Sequence, residues 1–167
     1  MVADGLEEVE CLAVVDVLFR AGIAADLLSI SDSLEVTSSH GIHLRCDALA
    51  SQVNLASYAL MFLPGGMPGT LNLGASALVT DEVRRRSAAG QPLAAICAAP
   101  SILAEHGALQ ARHATANPGF MDAIAAGGAL MSEAAVVRDA NLITSRGMGT
   151  ATELGFEIIR LLLGDDA

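Results

Sequence analysis

The segment Leu93-Ala94-Ala95-Ile96-Cys97-Ala98-Ala99-Pro100 runs an apolar stretch into a cysteine and then into small residues, with a proline at an early helical position. The pattern predicts a buried strand, a tight turn and a helix. Small neighbours let such a turn be sharp enough to lift a side chain out of the sheet, the position a nucleophile occupies on an elbow. A cysteine there faces the first N–H groups of the helix, whose partial positive charge is expected to stabilise a thiolate. Buried elsewhere, the same residue would be a small hydrophobe. Its place at the junction favours chemistry.

Two further groups could assist it. Pro64-Gly65-Gly66 closes the preceding apolar run, so backbone N–H groups of Gly65 or Gly66, with that of Ala98, are candidate donors to an oxyanion. Glu7, Glu8 and Glu10 stand at the start of a helical stretch. Two of the three are expected to complement the helix dipole at the surface. The third would point into the crevice, where a carboxylic acid can hydrogen-bond the cysteine sulfur; spacing alone does not select which.

The histidines offer little. His106 precedes Gly107 and reads as a helix C-terminal cap, His113 lies at a strand edge, and His40 and His43 sit on a hairpin. No His-x-x-x-His pair occurs and no histidine follows Cys97, so a metal site is not expected. In Gly147-Met148-Gly149-Thr150, between a strand and a helix, the third glycine of a dinucleotide fingerprint would fall on Thr152. A tight turn accounts better for the segment.

The elements that must position these groups alternate along the chain. Residues 6–21 have helical periodicity and end before Gly22. Residues 25–30, 58–63 and 92–96 read as strands, and 35–37 with 42–45 as a hairpin excursion. Helices follow over 77–89 and 99–106. A brief strand at 114–116, a short helix, a hairpin over 135–138 and 141–144, and an amphipathic helix over 150–163 complete the chain. Alternation of this kind predicts one α/β domain over residues 1–167, with a mostly parallel sheet and helices on both faces. Only Met1-Val2-Ala3 remain for a strand before the first helix, so either that strand is a stub or residues ahead of it are missing from the sequence.

Composition narrows the function. At 167 residues the chain can bury a substantial core, and with 53% hydrophobic but only 3% aromatic residues that core is aliphatic. A formal charge of −10 argues against nucleic-acid binding. The one basic cluster, Arg84-Arg85-Arg86, adjoins Asp81 and Glu82 and reads as a solvated helix face. Cys11, Cys46 and Cys97 are few and scattered, which points to a reducing, cytoplasmic compartment. No signal peptide and no stretch of ~18 apolar residues is present, so no membrane span is expected.

Together these residues resemble the ThiJ/PfpI superfamily, in the branch of the Parkinsonism-associated protein deglycase. The resemblance is carried by residues 3–10 (ADGLEEVE), 15–22 (VDVLFRAG), 63–66 (LPGG), 95–100 (AICAAP) and 144–150 (TSRGMGT), in order and over essentially the whole chain. It implies a flavodoxin-like sandwich, a homodimer and chemistry without a cofactor. It also implies roles: Cys97 as a reactive, readily oxidised cysteine on a strained elbow, Glu10 as the protonated glutamate bonded to it, and Gly66 and Ala98 as backbone donors around the sulfur. The activities it implies are cofactor-independent hydration of methylglyoxal and glyoxal to hydroxy acids, deglycation and redox-dependent chaperoning.

Two departures from that family pattern matter. Asn117, before Pro118, stands where some members carry a histidine, and an asparagine is no general base. Ala98 stands where the protease-like branch has a histidine, which disfavours peptidase activity. His40 is left as a residue that could approach a partner subunit's site. The expected function is therefore a glyoxalase- or deglycase-like enzyme in which Cys97 attacks a reactive aldehyde and Glu10 relays the proton, slowly for want of the histidine. The alternative is a redox sensor or redox-regulated chaperone built on an oxidisable Cys97. An amidotransferase-like hydrolase ranks last, because no histidine–carboxylate pair is in view.

Overall fold

The computed structural model describes residues 1–166. Four strands form its central sheet: β5 (Met61–Leu63), β6 (Leu93–Ile96), β9 (Val136–Asp139) and β10 (Leu142–Ser145). Their order is β5-β6-β10-β9, parallel except where β9 returns antiparallel to β10. A parallel pair, β1 (Leu28–Ser29) and β4 (Ala48–Leu49), lies beyond it. The three-residue N-terminal stub joins the two. Val2 pairs in parallel with Ser29, its N–H donating to Leu28 O, while the Met1 nitrogen donates to Phe62 O at 2.8 Å. The stub thus behaves as a strand despite its length.

Burial on both faces explains why β5 and β6 are apolar at every position. In β6, Leu93 and Ala95 point into one cluster and Ala94 and Ile96 into the other. The second cluster is closed by α1 (Glu8–Arg20) and α6 (Ala151–Leu163), through Val14, Val17, Leu154 and Ile158. The first is closed by α3 (Ala77–Ala89), α4 (Pro100–Glu105) and α5 (Met121–Ala126), through Val79, Val83, Leu103 and Ile124. The result is the flavodoxin-like sandwich with helices on both faces. Strands β2 (Glu35–Thr37) and β3 (His43–Arg45) form the expected hairpin outside the sheet.

Several expectations are corrected. The strand expected over 25–30 shortens to β1. The brief strand expected at 114–116 is β7 (His113–Ala114), which pairs with an unanticipated β8 (Leu130–Met131). A helix not foreseen, α2 (Gly69–Ala75), follows the glycine turn. The basic cluster is not one solvated face. Arg84 is exposed and Arg85 half-exposed, but Arg86 is only 1% exposed, because helical spacing carries it to the inner side of α3. There its Nε meets Glu82 at 2.6 Å, and its other nitrogens donate to the carbonyls of Leu55, Tyr58 and Pro92.

Candidate active site

Cys97 occupies the turn between β6 and α4 with φ of 64°, a left-handed conformation that a side chain adopts only when its surroundings impose it. Those surroundings are visible. The Cys97 N–H donates to Ser145 O on the neighbouring strand, and its carbonyl accepts from Asn117 N–H, both at 2.9 Å. Small, buried Ala98 and Ala99 leave room for the bend. The elbow expected from the sequence is present.

Among the three glutamates, Glu10 is the one that points inward, at 1% exposure. The first turn of α1 sets it there: Glu7 caps the helix by accepting the Glu10 N–H at 2.6 Å, which leaves the Glu10 side chain facing the sheet. Its Oε2 accepts the Gly65 N–H at 2.9 Å. A side chain at Gly65 would fill the contact, since a Cβ there would lie 2.5 Å from Glu10 Oε2 and 2.6 Å from Cys97 Cβ. Gly66, at φ of 93°, turns the chain where backbone of Leu6 and Glu7 leaves no room for a side chain.

The donors divide differently from expectation. The Gly65 N–H is committed to Glu10 and does not face an oxyanion position. The N–H groups of Gly66 and Ala98 face the Cys97 sulfur instead.

The expectation of a resting thiolate is also corrected. Burial first, then the charge of Glu10 and its hydrogen bond, push the Cys97 thiol up to about 11, against the downward pull of Ala98 and Gly66. Burial likewise raises the Glu10 carboxyl to about 7, opposed by its bonds to Cys97 and Gly65. A helix dipole favours a thiolate, but α4 is short and desolvation with a neighbouring carboxylate outweighs it. The two groups titrate as a pair, losing one proton near 7 and the second near 11, so between those values they share one proton and one negative charge.

Asn117 borders this pair. Its Oδ1 accepts the Gly119 N–H at 3.0 Å, which turns its amide nitrogen toward Gly147. His40 is drawn elsewhere, to Glu8 Oε1 at 2.8 Å, and its side chain is 68% exposed. Among the described residues, Glu7, Glu8 and His40 are a group with metal-ligand spacing. Glu7 is occupied as the α1 cap and Glu8 is hydrogen-bonded to His40, so the cluster reads as local structure. Gly147 through Thr150 form the expected turn, closed by Thr150 Oγ1 on Gly147 O at 2.9 Å. Ser145 carried no signal of its own in the sequence, and Asn117 stood out only as the residue in the place of a family histidine. Both set the Cys97 backbone through register and main chain.

The arrangement is a half-buried thiol beside a carboxyl near neutrality, with two backbone donors at the sulfur. It can form a bond from sulfur to an electrophilic carbon while the carboxylate takes the thiol proton.

Comparison with known proteins gives the same architecture. The DJ-1/PfpI family model matches residues 1–161. Protein dj-1beta of Drosophila melanogaster is 36% identical over 166 residues, covering 99% of this chain and 89% of that protein. The glutathione-independent glyoxalase DJR-1.2 of Caenorhabditis elegans is 29% identical over 160 residues, covering 96% and 84%. The solved structure of oxidized Toxoplasma gondii DJ-1 superposes with a TM-score of 0.91 at 34% identity, covering 99% of this chain and 89% of that one. A family model spanning nearly the whole chain, and relatives matched along most of their own length, settle the assignment: the chain belongs to the DJ-1/PfpI family.

Proposed function

We propose that the protein is a cofactor-independent glyoxalase that converts 2-oxoaldehydes such as methylglyoxal to 2-hydroxy acids at Cys97, with deglycation as an extension of the same chemistry. The observation that carries the reading is the Cys97–Glu10 pair, a nucleophile and a base sharing one proton in the neutral range. The glyoxalase among the relatives adds support. Glu10 carboxylate takes the thiol proton as sulfur attacks the aldehyde carbon, and the Gly66 and Ala98 N–H groups receive the developing oxyanion. Glu10 returns the proton to that oxygen, giving a hemithioacetal. It then takes the C1 proton and delivers it to C2, while the hydroxyl proton on the C1 oxygen passes to the C2 oxygen, giving the thioester of the 2-hydroxy acid. Water releases the hydroxy acid and regenerates the thiol. The sum is aldehyde plus water to hydroxy acid, with no oxidant or reductant.

Purified protein is expected to form lactate from methylglyoxal with no added thiol. Conversion no faster than in a Cys97→Ala control overturns the reading.

We propose a cytoplasmic location, which the free thiols of Cys11, Cys46 and Cys97 support. No helix among the described residues is long and apolar enough to cross a membrane. We place the protein as a homodimer through α1 and the hairpin, where Val9, Leu12 and Ile42 are exposed apolar residues. Light scattering is expected to give twice the chain mass, and a monomer at working concentration rejects this.

A further inference from the structure

We propose that Asn117 and Gly147 form a second subsite beside Cys97, in which the Asn117 side-chain amide donates to the C2 oxygen of a vicinal dicarbonyl. The subsite is thus selective for 2-oxoaldehydes over simple aldehydes. It rests on the reaction proposed above and adds the residues that choose its substrate.

The geometry is a gap between a donor and the proton-carrying acid. The position a Cβ would take on Gly147 lies 3.8 Å from Glu10 Oε1 and 3.9 Å from Asn117 Nδ2, with no closer atom. That space is open because residue 147 lacks a side chain. Gly147 has φ of 161° and ψ of −167°, extended backbone that any residue adopts. The glycine is therefore required by neither strain nor turn, and what its absent side chain provides is room.

The amide orientation is determined. With Oδ1 accepting the Gly119 N–H at 3.0 Å, Nδ2 is the atom presented to the gap. Its backbone is fixed as well, since the Asn117 N–H donates to the Cys97 carbonyl at 2.9 Å, which ties the donor to the nucleophile's own residue.

Glu10 is likewise divided. Oε2 is held by Gly65, while Oε1 lies on the Gly147 side. A substrate carbon bonded to sulfur has its own oxygen toward Gly66 and Ala98. The adjacent carbon then falls toward the gap, with Glu10 Oε1 on one side and the Asn117 amide on the other. When Glu10 removes the C1 proton, charge develops on the C2 oxygen as an enediolate. A neutral N–H donor placed there stabilises that charge without needing to titrate. An asparagine at this position thus has a role that a general base does not describe. A simple aldehyde has no C2 oxygen and gains nothing from it.

The test separates binding from turnover. Methylglyoxal and propanal are each used to protect Cys97 from iodoacetamide, in wild type, Asn117→Ala and Gly147→Ala, with labelling read by mass spectrometry. The ratio of methylglyoxal to propanal protection is expected to fall about 10-fold in Asn117→Ala, the scale of one lost hydrogen bond. Gly147→Ala adds a methyl group at ordinary contact distance and keeps the backbone, so it controls for folding. It is expected to lower methylglyoxal protection more than that by the smaller glyoxal. Lactate formation is measured in parallel, and kcat is expected to fall about 10²-fold in Asn117→Ala.

An unchanged protection ratio in Asn117→Ala overturns the subsite, whether or not wild type turns over. A changed ratio without lactate formation in wild type supports the subsite and overturns the glyoxalase reading.

Discussion

Replacing Glu10 by glutamine is expected to lower kcat/KM for methylglyoxal by about 10²–10⁴-fold, the usual contribution of a positioned general base. In the wild type the rate should rise with pH through about 7, where the carboxyl loses its proton. That limb should vanish in Glu10→Gln. The thiol should then titrate below the wild-type value of about 11, because the charge and hydrogen bond that help raise it are gone. Stability should move the other way. The folded-state carboxyl ionises near 7 against an ordinary 4.5, so the wild type has its full stability from this group below 4.5 and loses it as pH rises through 7. Glutamine removes that loss, and Glu10→Gln should melt above wild type in mildly alkaline buffer while being nearly inactive. A rate that is flat across the acid-to-neutral range, or a variant within a few-fold of wild type, rejects Glu10 as the base.

The second large effect is far from the site. Arg86→Met should cost about 3 kcal/mol of stability, since it leaves Glu82, 7% exposed, with only the half-exposed Arg85 as a partner and frees buried carbonyls of Leu55 and Tyr58. For a chain of this size that is a fall of roughly 6–12 °C in Tm. Arg84→Met, on the exposed side of the same helix, should move Tm little. Equal, small effects of the two substitutions would show that Arg86 holds nothing that solvent does not replace.

How far the sequence could be read differs by residue. Cys97 was legible because its signal is local: apolar strand, small turn residues and proline are contiguous. Glu10 was legible only by resemblance, since three acidic residues share one helix start and which of them faces inward depends on the Glu7 cap. Arg86 was misread because two exposed arginines beside it dilute the helical period. The helix α2 was missed because its seven residues, GTLNLGA, hold two glycines and only two leucines, spaced i, i+2, which give no helical period. The strands β4 and β8 are two residues each, shorter than any periodic signal. Least legible was the state of the thiol. A helix N-terminus can be read from order along the chain, but burial and the distance to a carboxylate cannot, and here they decide the sign.

The same main-chain ties have a consequence for motion. The Glu7 N–H is bonded to Gly65 O, Gly65 N–H to Glu10, Cys97 N–H to Ser145 O, and Asn117 N–H to Cys97 O. Five segments distant in sequence are thereby tied, residues 7–10 to 65 and residue 97 to 117 and 145, and none can fray without breaking a bond to another. Amide hydrogens of residues 7, 65, 97 and 117 should therefore exchange with solvent on a common timescale, as one cooperative unit. The site's shape is thus kept by main-chain bonds between segments rather than by any one of them.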